Sequence, residues 1–288
     1  MIREGALALL ALLQGAAAPA PPIAYADGTG LVAVEGARRI NLVCAGRGSP
    51  TIVFTAGAGA PASSWKLVQP EVARRTRACA WDRAGFGSSD ASPARQTAAE
   101  TTRDLARALA AAKVTGPLVL VGHSIGAYET LLLADRLGPR LAGIVLVDPS
   151  LPDMFRLTGE DPARVMASTA APFRACAAAL RAGTPPPPGP FACAGPVAKL
   201  DTALSFLDSA GDSAREVVNP NRGYGATPLV VLTAGPRPAL ATPWDLGHDA
   251  LAALSTAGVN RYVPDSGHMM QRQRPEAIVA AIDDVLDR

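Results

Sequence analysis

Residues 117–137 read PLVLVGHSIGAYETLLLADRL, and this stretch decides the fold. Its apolar run 118–121 follows a proline and is typical of a buried strand, whereas 127–137 has the apolar spacing of a helix. Between the two, GHSIG at 122–126 matches the pattern G-x-S-x-G, which places a serine on a sharp turn from strand to helix. Glycines on both sides of Ser124 leave room for the strained backbone of such a turn. The stretch therefore predicts that Ser124 is a nucleophile.

A serine hydroxyl needs a base to take its proton, and the chain has three histidines that could do so. His123 adjoins the serine on a tight turn and is expected to point elsewhere. His248 has no predicted strand or turn before it to position its ring. His268 follows the segment 260–263, which is predicted to be a strand, through a turn, so it is expected at the carboxyl edge of the sheet, beside Ser124. We therefore predict that His268 is the base.

The rest of the chain alternates strand-like and helix-like segments, which predicts an α/β fold with a mainly parallel sheet flanked by helices. The segments expected as strands are 39–43, 51–55, 78–81, 118–121, 143–147, 229–233 and 260–263. The interval 151–224 has no clear strand and is expected to form helices that lie over the sheet. The predicted boundaries are a leader at 1–26, a core at 27–150, this insertion at 151–224, and a second core part at 225–288.

Five motifs, in this order along the chain, are similar to those of the α/β-hydrolase fold family: FTAGAG at 54–59, WDRAGFGSSD at 81–90, GHSIG at 122–126, VLVDP at 145–149 and SGH at 266–268. The resemblance implies an eight-stranded sheet, with the insertion as a helical cap after the sixth strand. It also implies a serine hydrolase that needs no cofactor. Ser124 excludes the aspartate nucleophile that dehalogenases and epoxide hydrolases of the same fold use.

The resemblance further implies two backbone donors for the oxyanion, the negative oxygen that forms when a serine attacks a carbonyl group. The residue after the nucleophile supplies one N–H, which here is that of Ile125. Matching AGA at 56–58 to the family's His-Gly-X names the N–H of Ala58 as the second. Ala56 stands where the family often has histidine, but the donor is a backbone group and does not depend on that side chain.

The acid that orients the histidine has two candidates. Many members of the family place it just after the seventh strand, where residues 234–240 contain no carboxylate. A second arrangement of the family places it after the sixth strand, where Asp148 stands. We predict Asp148 as the acid, with Asp245 as the alternative. Capping of the turn through Pro149 is the other interpretation of Asp148.

Two further features are interpreted as structural. Asp82 and Arg83 are expected to form a turn at the end of a strand rather than a catalytic pair. Apolar residues of the insertion are candidates for lining a pocket, although some must bury the insertion on the core. They are Met154, Phe155, Leu157, Met166, Phe173, Phe191, Leu204, Phe206 and Leu207.

Composition limits the class of partner and the compartment. The chain has 288 residues, of which 49% are hydrophobic and 18% charged, and its net charge of +2 gives no reason to expect nucleic acid as a partner. The apolar run 6–13 is too short for a stable membrane span. Because Ala24-Tyr25-Ala26 offers a cleavage site, residues 1–26 are predicted to be a signal peptide. A buried or disordered N-terminal helix is the alternative.

Four cysteines allow three pairings. Cys44 with Cys79 and Cys176 with Cys193 are the pairs expected in an oxidising compartment, and four buried free thiols are the alternative. No cysteine–histidine cluster suggests a metal site.

The sequence thus predicts an exported serine hydrolase, periplasmic or secreted, that acts on a small-molecule carboxylic ester. A thioesterase, amidase, lactonase or cofactor-free haloperoxidase with the same three side chains is one alternative. A non-catalytic binding protein that keeps the fold is the other.

Overall fold

The computed structural model describes residues 23–26, 28–187, 193 and 195–288. The predicted signal peptide therefore lies outside the described residues except for 23–26. Within that short stretch, the backbone oxygen of Tyr25 accepts a hydrogen bond of 2.9 Å from Asn41 Nδ2, and the Tyr25 ring packs against the core. A chain cut after Ala26 would lose these contacts.

The described residues contain one sheet of eight strands. These are β1 Leu31–Glu35, β2 Arg38–Ala45, β3 Thr51–Thr55, β4 Ala78–Trp81, β5 Leu118–His123, β6 Leu141–Val147, β7 Leu229–Ala234 and β8 Gly258–Val263. Their order across the sheet is β1-β2-β4-β3-β5-β6-β7-β8. The β1–β2 and β2–β4 pairs are antiparallel, and the other five pairs are parallel. The predicted mainly parallel sheet is confirmed.

Helices cover both faces of this sheet. They are α1 Gln69–Val72, α2 Ala98–Ala111, α3 Gly126–Leu137, α4 Met154–Thr158, α5 Pro162–Arg181, α6 Val197–Asp208, α7 Ala210–Glu216, α8 Pro243–Ala252, α9 Met270–Gln273 and α10 Pro275–Leu286. Apolar side chains of α1, α9 and α10 belong to one buried cluster, and those of α2, α3 and α8 belong to a second. The strands between the two clusters are buried on both faces, which accounts for their continuous apolar runs.

The cap segment, residues 151–224, follows β6 and contains helices α4 to α7. Phe86 of the core joins it to the rest of the molecule, because its ring lies 5.6 Å from that of Phe173 and 6.0 Å from that of Phe206. Of the candidate pocket residues, Phe206 is fully buried in this cluster, Leu157 is exposed, and Phe191 lies outside the described residues.

Both expected disulfides are present, between Cys44 and Cys79 and between Cys176 and Cys193. The first joins paired residues of β2 and β4, and the second joins α5 to the chain before α6. None of the helices in the described part of the chain has the length and apolar character that crossing a bilayer requires. The same part of the chain holds no cluster of His, Cys, Asp and Glu side chains able to bind a metal ion.

Candidate active site

The serine of GHSIG lies on a tight turn between β5 and α3. Ser124 has a positive φ of 54°, and its N–H donates to the carbonyl oxygen of Val147 over 3.1 Å. A Cβ atom at Gly126 would lie 2.6 Å from the carbonyl oxygens of both Thr55 and Ala56, so no larger residue fits there without a shift. Close packing of the turn against its neighbours thus forces the backbone of Ser124 into a sparsely populated conformation.

Three side chains form one line of hydrogen bonds at the carboxyl edge of the sheet. Ser124 Oγ lies 3.0 Å from His268 Nε2, and His268 Nδ1 lies 2.6 Å from Asp148 Oδ2. Ser124 follows β5, Asp148 follows β6 and His268 follows β8 by a short loop. Because these strands are parallel, their carboxyl ends bring together residues that are far apart in the chain. The His268 side chain is half exposed, so small molecules can reach this line from solvent.

Asp148 is buried and firmly held. Its φ is 41°, and its second carboxylate oxygen accepts a hydrogen bond of 3.0 Å from the N–H of Ala234. Burial raises the pKa of Asp148, but the hydrogen bonds from His268 and Ala234 outweigh burial and leave that pKa below its usual value. The carboxylate is therefore ionised at neutral pH and accepts the proton of His268 Nδ1.

The structure gives Asp245 a different place. This carboxylate accepts hydrogen bonds from the N–H and hydroxyl of Thr242, and Tyr262 Oη donates to it over 3.1 Å. Thr242 in turn caps the N–H of Asp245 at the start of α8, so the two residues form a capping box. Asp245 stabilises a helix end and does not contact His268.

His248 lies in a helix that the sequence analysis missed. The absence of a positioning element before it was the wrong reason to set it aside, because α8 holds its ring in the core. Nε2 lies 2.9 Å from the carbonyl oxygen of Pro149, and Nδ1 lies 2.8 Å from Thr233 Oγ1. Burial lowers the pKa of His248. The neutral ring supports the turn after Asp148 from behind.

His123 points away from Ser124 Oγ, as its place on the turn predicts, but it still serves the same group of residues. Its Nε2 donates to the carbonyl oxygen of His268 over 2.7 Å, and Gln271 Nε2 lies 3.4 Å from Nδ1. Burial, followed by the charge of His268, lowers the pKa of His123 to about 4. A neutral histidine behind the turn thus fixes the backbone of His268, a contact between residues 145 apart that sequence spacing does not reveal.

The two predicted backbone donors belong to two segments that meet at Ser124. Ile125 is the residue before the first turn of α3, and Ala58 follows β3 in a loop that touches the turn of Ser124. A Cβ atom at Gly57 would lie 3.3 Å from Ser124 Cβ, which places that loop directly against the serine. Within the described residues, neither the N–H of Ala58 nor that of Ile125 has an acceptor. Both are available to a bound oxygen atom.

Asp82 has the structural place expected of it. Its buried carboxylate accepts hydrogen bonds from the N–H of Ala62 over 2.6 Å, from Asn41 Nδ2 over 2.7 Å and from the N–H of Ser88 over 2.9 Å. It therefore ties the turn after β4 to two neighbouring segments.

The site as a whole is suited to nucleophilic attack on a carbonyl carbon. It contains a serine hydroxyl hydrogen-bonded to an imidazole, a carboxylate that orients this imidazole, and two free N–H groups beside the serine.

Comparisons with known proteins agree with this fold. The sequence model of the alpha/beta hydrolase family matches residues 52–281. Uncharacterized protein YqjL of Bacillus subtilis (strain 168) is 28% identical over 249 residues, which are 83% of this chain and 85% of that protein.

Solved structures share the fold at low sequence identity. A thermophilic esterase from Thermogutta terrifontis superposes with a TM-score of 0.57 at 20% identity, over 89% of this chain and 97% of that chain. An epoxide hydrolase from metagenomes of hot environments superposes with a TM-score of 0.63 at 20% identity, again over 89% and 97% of the two chains. With a family match over most of its length and the sheet, turn and site geometry in place, this chain belongs to the alpha/beta hydrolase family.

Proposed function

We propose that this protein is a serine hydrolase that cleaves a carboxylic ester of a small molecule through an acyl-enzyme on Ser124. The observation that carries the proposal is the line of hydrogen bonds from Ser124 Oγ through His268 to Asp148. Membership of the hydrolase family agrees with it, and the solved esterase is one relative of the same fold.

The first half of the reaction forms the acyl-enzyme. Ser124 Oγ attacks the carbonyl carbon while His268 Nε2 takes the hydroxyl proton, and Asp148 stabilises the imidazolium that results. The N–H groups of Ala58 and Ile125 bind the oxyanion. His268 then gives its proton to the departing alcohol as the carbon–oxygen bond of the ester breaks.

The second half regenerates the enzyme. Water enters by the half-exposed face of His268, which takes one proton from it while the hydroxide attacks the acyl carbon. When the tetrahedral intermediate collapses, the bond to Ser124 Oγ breaks, the serine recovers its proton from His268, and the acid leaves. No step uses a group other than these side chains, two backbone donors and water.

The first experiment measures initial rates of the purified protein on p-nitrophenyl esters from acetate to laurate, with Ser124→Ala beside it. Ester turnover that falls to the buffer rate in Ser124→Ala supports the proposal, and the preferred chain length gives the size of the acyl pocket. The control is Asp245→Asn, which alters a carboxylate of the same edge that does not touch His268. No wild-type turnover on any ester would contradict ester hydrolysis as the function.

The same protein samples separate the alternatives. A thioester, an anilide and a lactone of the preferred acyl length test the thioesterase, amidase and lactonase functions, since all three use the same attack on a carbonyl carbon. A non-catalytic binding protein would leave Ser124 unreactive toward a fluorophosphonate probe, because this probe requires an activated serine.

We also propose that the protein is exported. The two disulfides support this proposal, because such bonds persist in oxidising compartments. Cell fractionation of the source organism with reducing and non-reducing electrophoresis tests it: oxidised protein outside the cytoplasm is expected. Reduced protein in the cytoplasm would contradict it.

A further inference from the structure

Arg83 lies directly after β4, and its guanidinium is buried beneath the loop that carries Ala58. Only 2% of the Arg83 side chain is exposed. Nη2 donates to the carbonyl oxygen of Ala56 over 2.7 Å, and Nη1 donates to that of Gly57 over 3.2 Å. Nε pairs with the carboxylate of Glu129, which is fully buried. One planar side chain thus binds two successive carbonyl oxygens and an acid.

The hydrogen bond to Gly57 bears directly on the N–H of Ala58, because the two groups belong to one peptide unit. A trans peptide is planar, and its C=O and N–H point in opposite directions. Holding the carbonyl oxygen of Gly57 toward Arg83 therefore turns the N–H of Ala58 away from Arg83. A positive donor on the oxygen also draws electron density from the peptide, which makes the N–H of Ala58 a stronger donor.

Glu129 connects this arrangement to the nucleophile. It lies in α3, the helix that begins just after Ser124, and its Oε1 also accepts a hydrogen bond of 2.9 Å from Thr101 Oγ1. The loop of Ala58 and the helix that carries Ser124 are therefore tied through one guanidinium. A buried ion pair of this kind is costly to desolvate and contributes little net stability. Apolar side chains of similar size could fill the space but could not orient two carbonyl groups.

The cap segment also contacts the same guanidinium. The Phe206 ring centroid lies 4.5 Å from Arg83 Cζ, a cation–π distance. Phe173, which belongs to the same aromatic cluster, lies close to Gly59 of the loop: a Cβ atom there would be 3.6 Å from Phe173 Cε2. The cap segment thus restrains both Arg83 and the loop that Arg83 holds.

We propose that Arg83 is a positioning residue for the oxyanion site: it fixes and polarises the Gly57–Ala58 peptide so that the N–H of Ala58 points at the developing oxyanion. This inference rests on the proposed function, since it assigns Arg83 to the same reaction. It gives a role in the reaction to a residue that the sequence motif suggests only as part of a turn.

The test compares Arg83→Lys with Arg222→Lys. Lysine keeps the charge but lacks the planar fork, so it cannot hold both carbonyl oxygens and Glu129 together. Arg222 is the matched control, because its side chain is also buried and pairs with Asp135 at 2.9 Å, at the far end of α3 from Ser124. For each variant, kcat and KM are measured on the preferred p-nitrophenyl ester. The concentration of active enzyme used for kcat is that of the serine titrated with fluorophosphonate. Each variant is also measured for inhibition by butylboronic acid, which forms a tetrahedral adduct with an active serine.

We expect Arg83→Lys to lower kcat by about tenfold to a hundredfold with KM within about threefold, since the loss of one oxyanion donor typically costs about 100-fold to 1,000-fold. Its inhibition constant for butylboronic acid should rise by the same factor as kcat falls, because the adduct uses the same donors. Arg222→Lys should change neither value by more than about threefold. A purely structural role of Arg83 would instead lower the titrated fraction and leave both constants unchanged.

Equal kcat and equal boronate inhibition in wild type and folded Arg83→Lys would overturn the inference while leaving the proposed function intact. Wild-type protein that neither hydrolyses esters nor reacts with fluorophosphonate would overturn both. If Arg83→Lys does not fold, Glu129→Gln takes its place, because it frees the guanidinium from its ion pair at nearly constant volume. A fall in kcat of about threefold or more with a matching loss of boronate inhibition is then expected, and unchanged constants contradict the inference.

Discussion

The sheet core and the cap segment are held together in different ways. In the core, charged side chains near the site are buried and bind several partners each, as Asp82, Arg83 and Asp148 do. Close to Arg83 and the loop of Ala58, the cap segment meets the core through an aromatic cluster. Farther away it makes polar contacts, which include the ion pair of Arg222 with Asp135 at the far end of α3 and the exposed ion pair between Arg95 and Asp212. Around the site, the core therefore holds single atoms by hydrogen bonds to buried charged groups, whereas the cap segment covers Arg83 by aromatic packing.

This difference suggests a division of labour. The proposed chemistry depends on side chains of the core and two backbone N–H groups beside Ser124. We propose that the surfaces of the cap segment select the acyl group. Substitutions in the core should then change kcat or global stability, and substitutions in the cap segment should change KM and selectivity more.

The largest difference in activity is expected between variants of two carboxylates of the core, Asp148 and Asp245. Asp148→Asn removes the charge that orients His268 and stabilises its imidazolium, so kcat/KM on the preferred ester should fall by about a thousandfold or more. Asp245→Asn should stay within about threefold and cost about 1 kcal/mol of stability through its cap. Steady-state rates and denaturant unfolding of both variants measure this. A larger loss in Asp245→Asn than in Asp148→Asn would reverse the assignment.

The two disulfides compare the regions directly. Cys44 and Cys79 are 35 residues apart in the core, and Cys176 and Cys193 are 17 apart in the cap segment. Replacing both cysteines of the core pair by serine should lower the free energy of unfolding by about 3–4 kcal/mol, as expected for a loop of that length. Replacing both cysteines of the cap pair by serine should instead leave the main unfolding transition in place and raise KM or broaden the acyl preference. Equal loss of global stability in both double variants would show that the two regions unfold as one unit.

The pH dependence of stability tests the buried position of His123. The pKa of His123 in the folded protein, about 4, lies below the ordinary value of 6.5. As the pH falls, the unfolded chain therefore binds a proton at His123 at a higher pH than the folded protein does. The contribution of the neutral His123 ring to the free energy of unfolding is therefore complete above pH 6.5. It is lost as the pH falls from 6.5 toward 4, by up to about 3 kcal/mol.

His123→Gln should lack this component. Urea unfolding of wild type and variant at pH 7, 5.5 and 4.5 measures it, since the carboxylates and His248 titrate in both proteins and cancel in the difference. If the two proteins lost the same stability across this range, the ring would not be buried in its neutral form.

The smallest effect is expected where the cap segment meets the core through exposed charges. Arg95→Ala should change the free energy of unfolding by less than about 1 kcal/mol, because its pair with Asp212 is screened by solvent. Asp104→Asn breaks the ion pair in which Arg38 donates two hydrogen bonds to the buried carboxylate of Asp104. It should lower the free energy of unfolding by about 3 kcal/mol. Thermal and urea unfolding check both. A cost for Arg95→Ala equal to that of Asp104→Asn would contradict the contrast between the two regions.

The sequence predicted those parts of the fold whose signal is local. Local patterns mark the segments of β2 to β8 and the G-x-S-x-G turn, so seven strands and the position of Ser124 followed from them. The first strand, Leu31–Glu35, was missed because it lies at the sheet edge, where burial is partial and the apolar pattern weak.

Other contacts join residues that are distant in sequence and left no local pattern. His123 binds the backbone of His268, His248 supports the turn after Asp148, and Arg83 binds the loop of Ala58. The capping box at Thr242 and Asp245 was a readable signal for α8, and it would have given Asp245 a structural role. Phe206 was a candidate for the pocket, but only the fold reveals that it packs on Arg83.

The most direct test of the central claim is the site of covalent labelling. Intact-mass measurement after reaction with a fluorophosphonate, followed by peptide mapping, locates the modified residue. One adduct per chain on Ser124, abolished in Ser124→Ala and strongly slowed in His268→Gln, is the predicted result. No adduct on folded wild-type protein, or an adduct that persists in Ser124→Ala, would contradict the claim that Ser124 is the nucleophile.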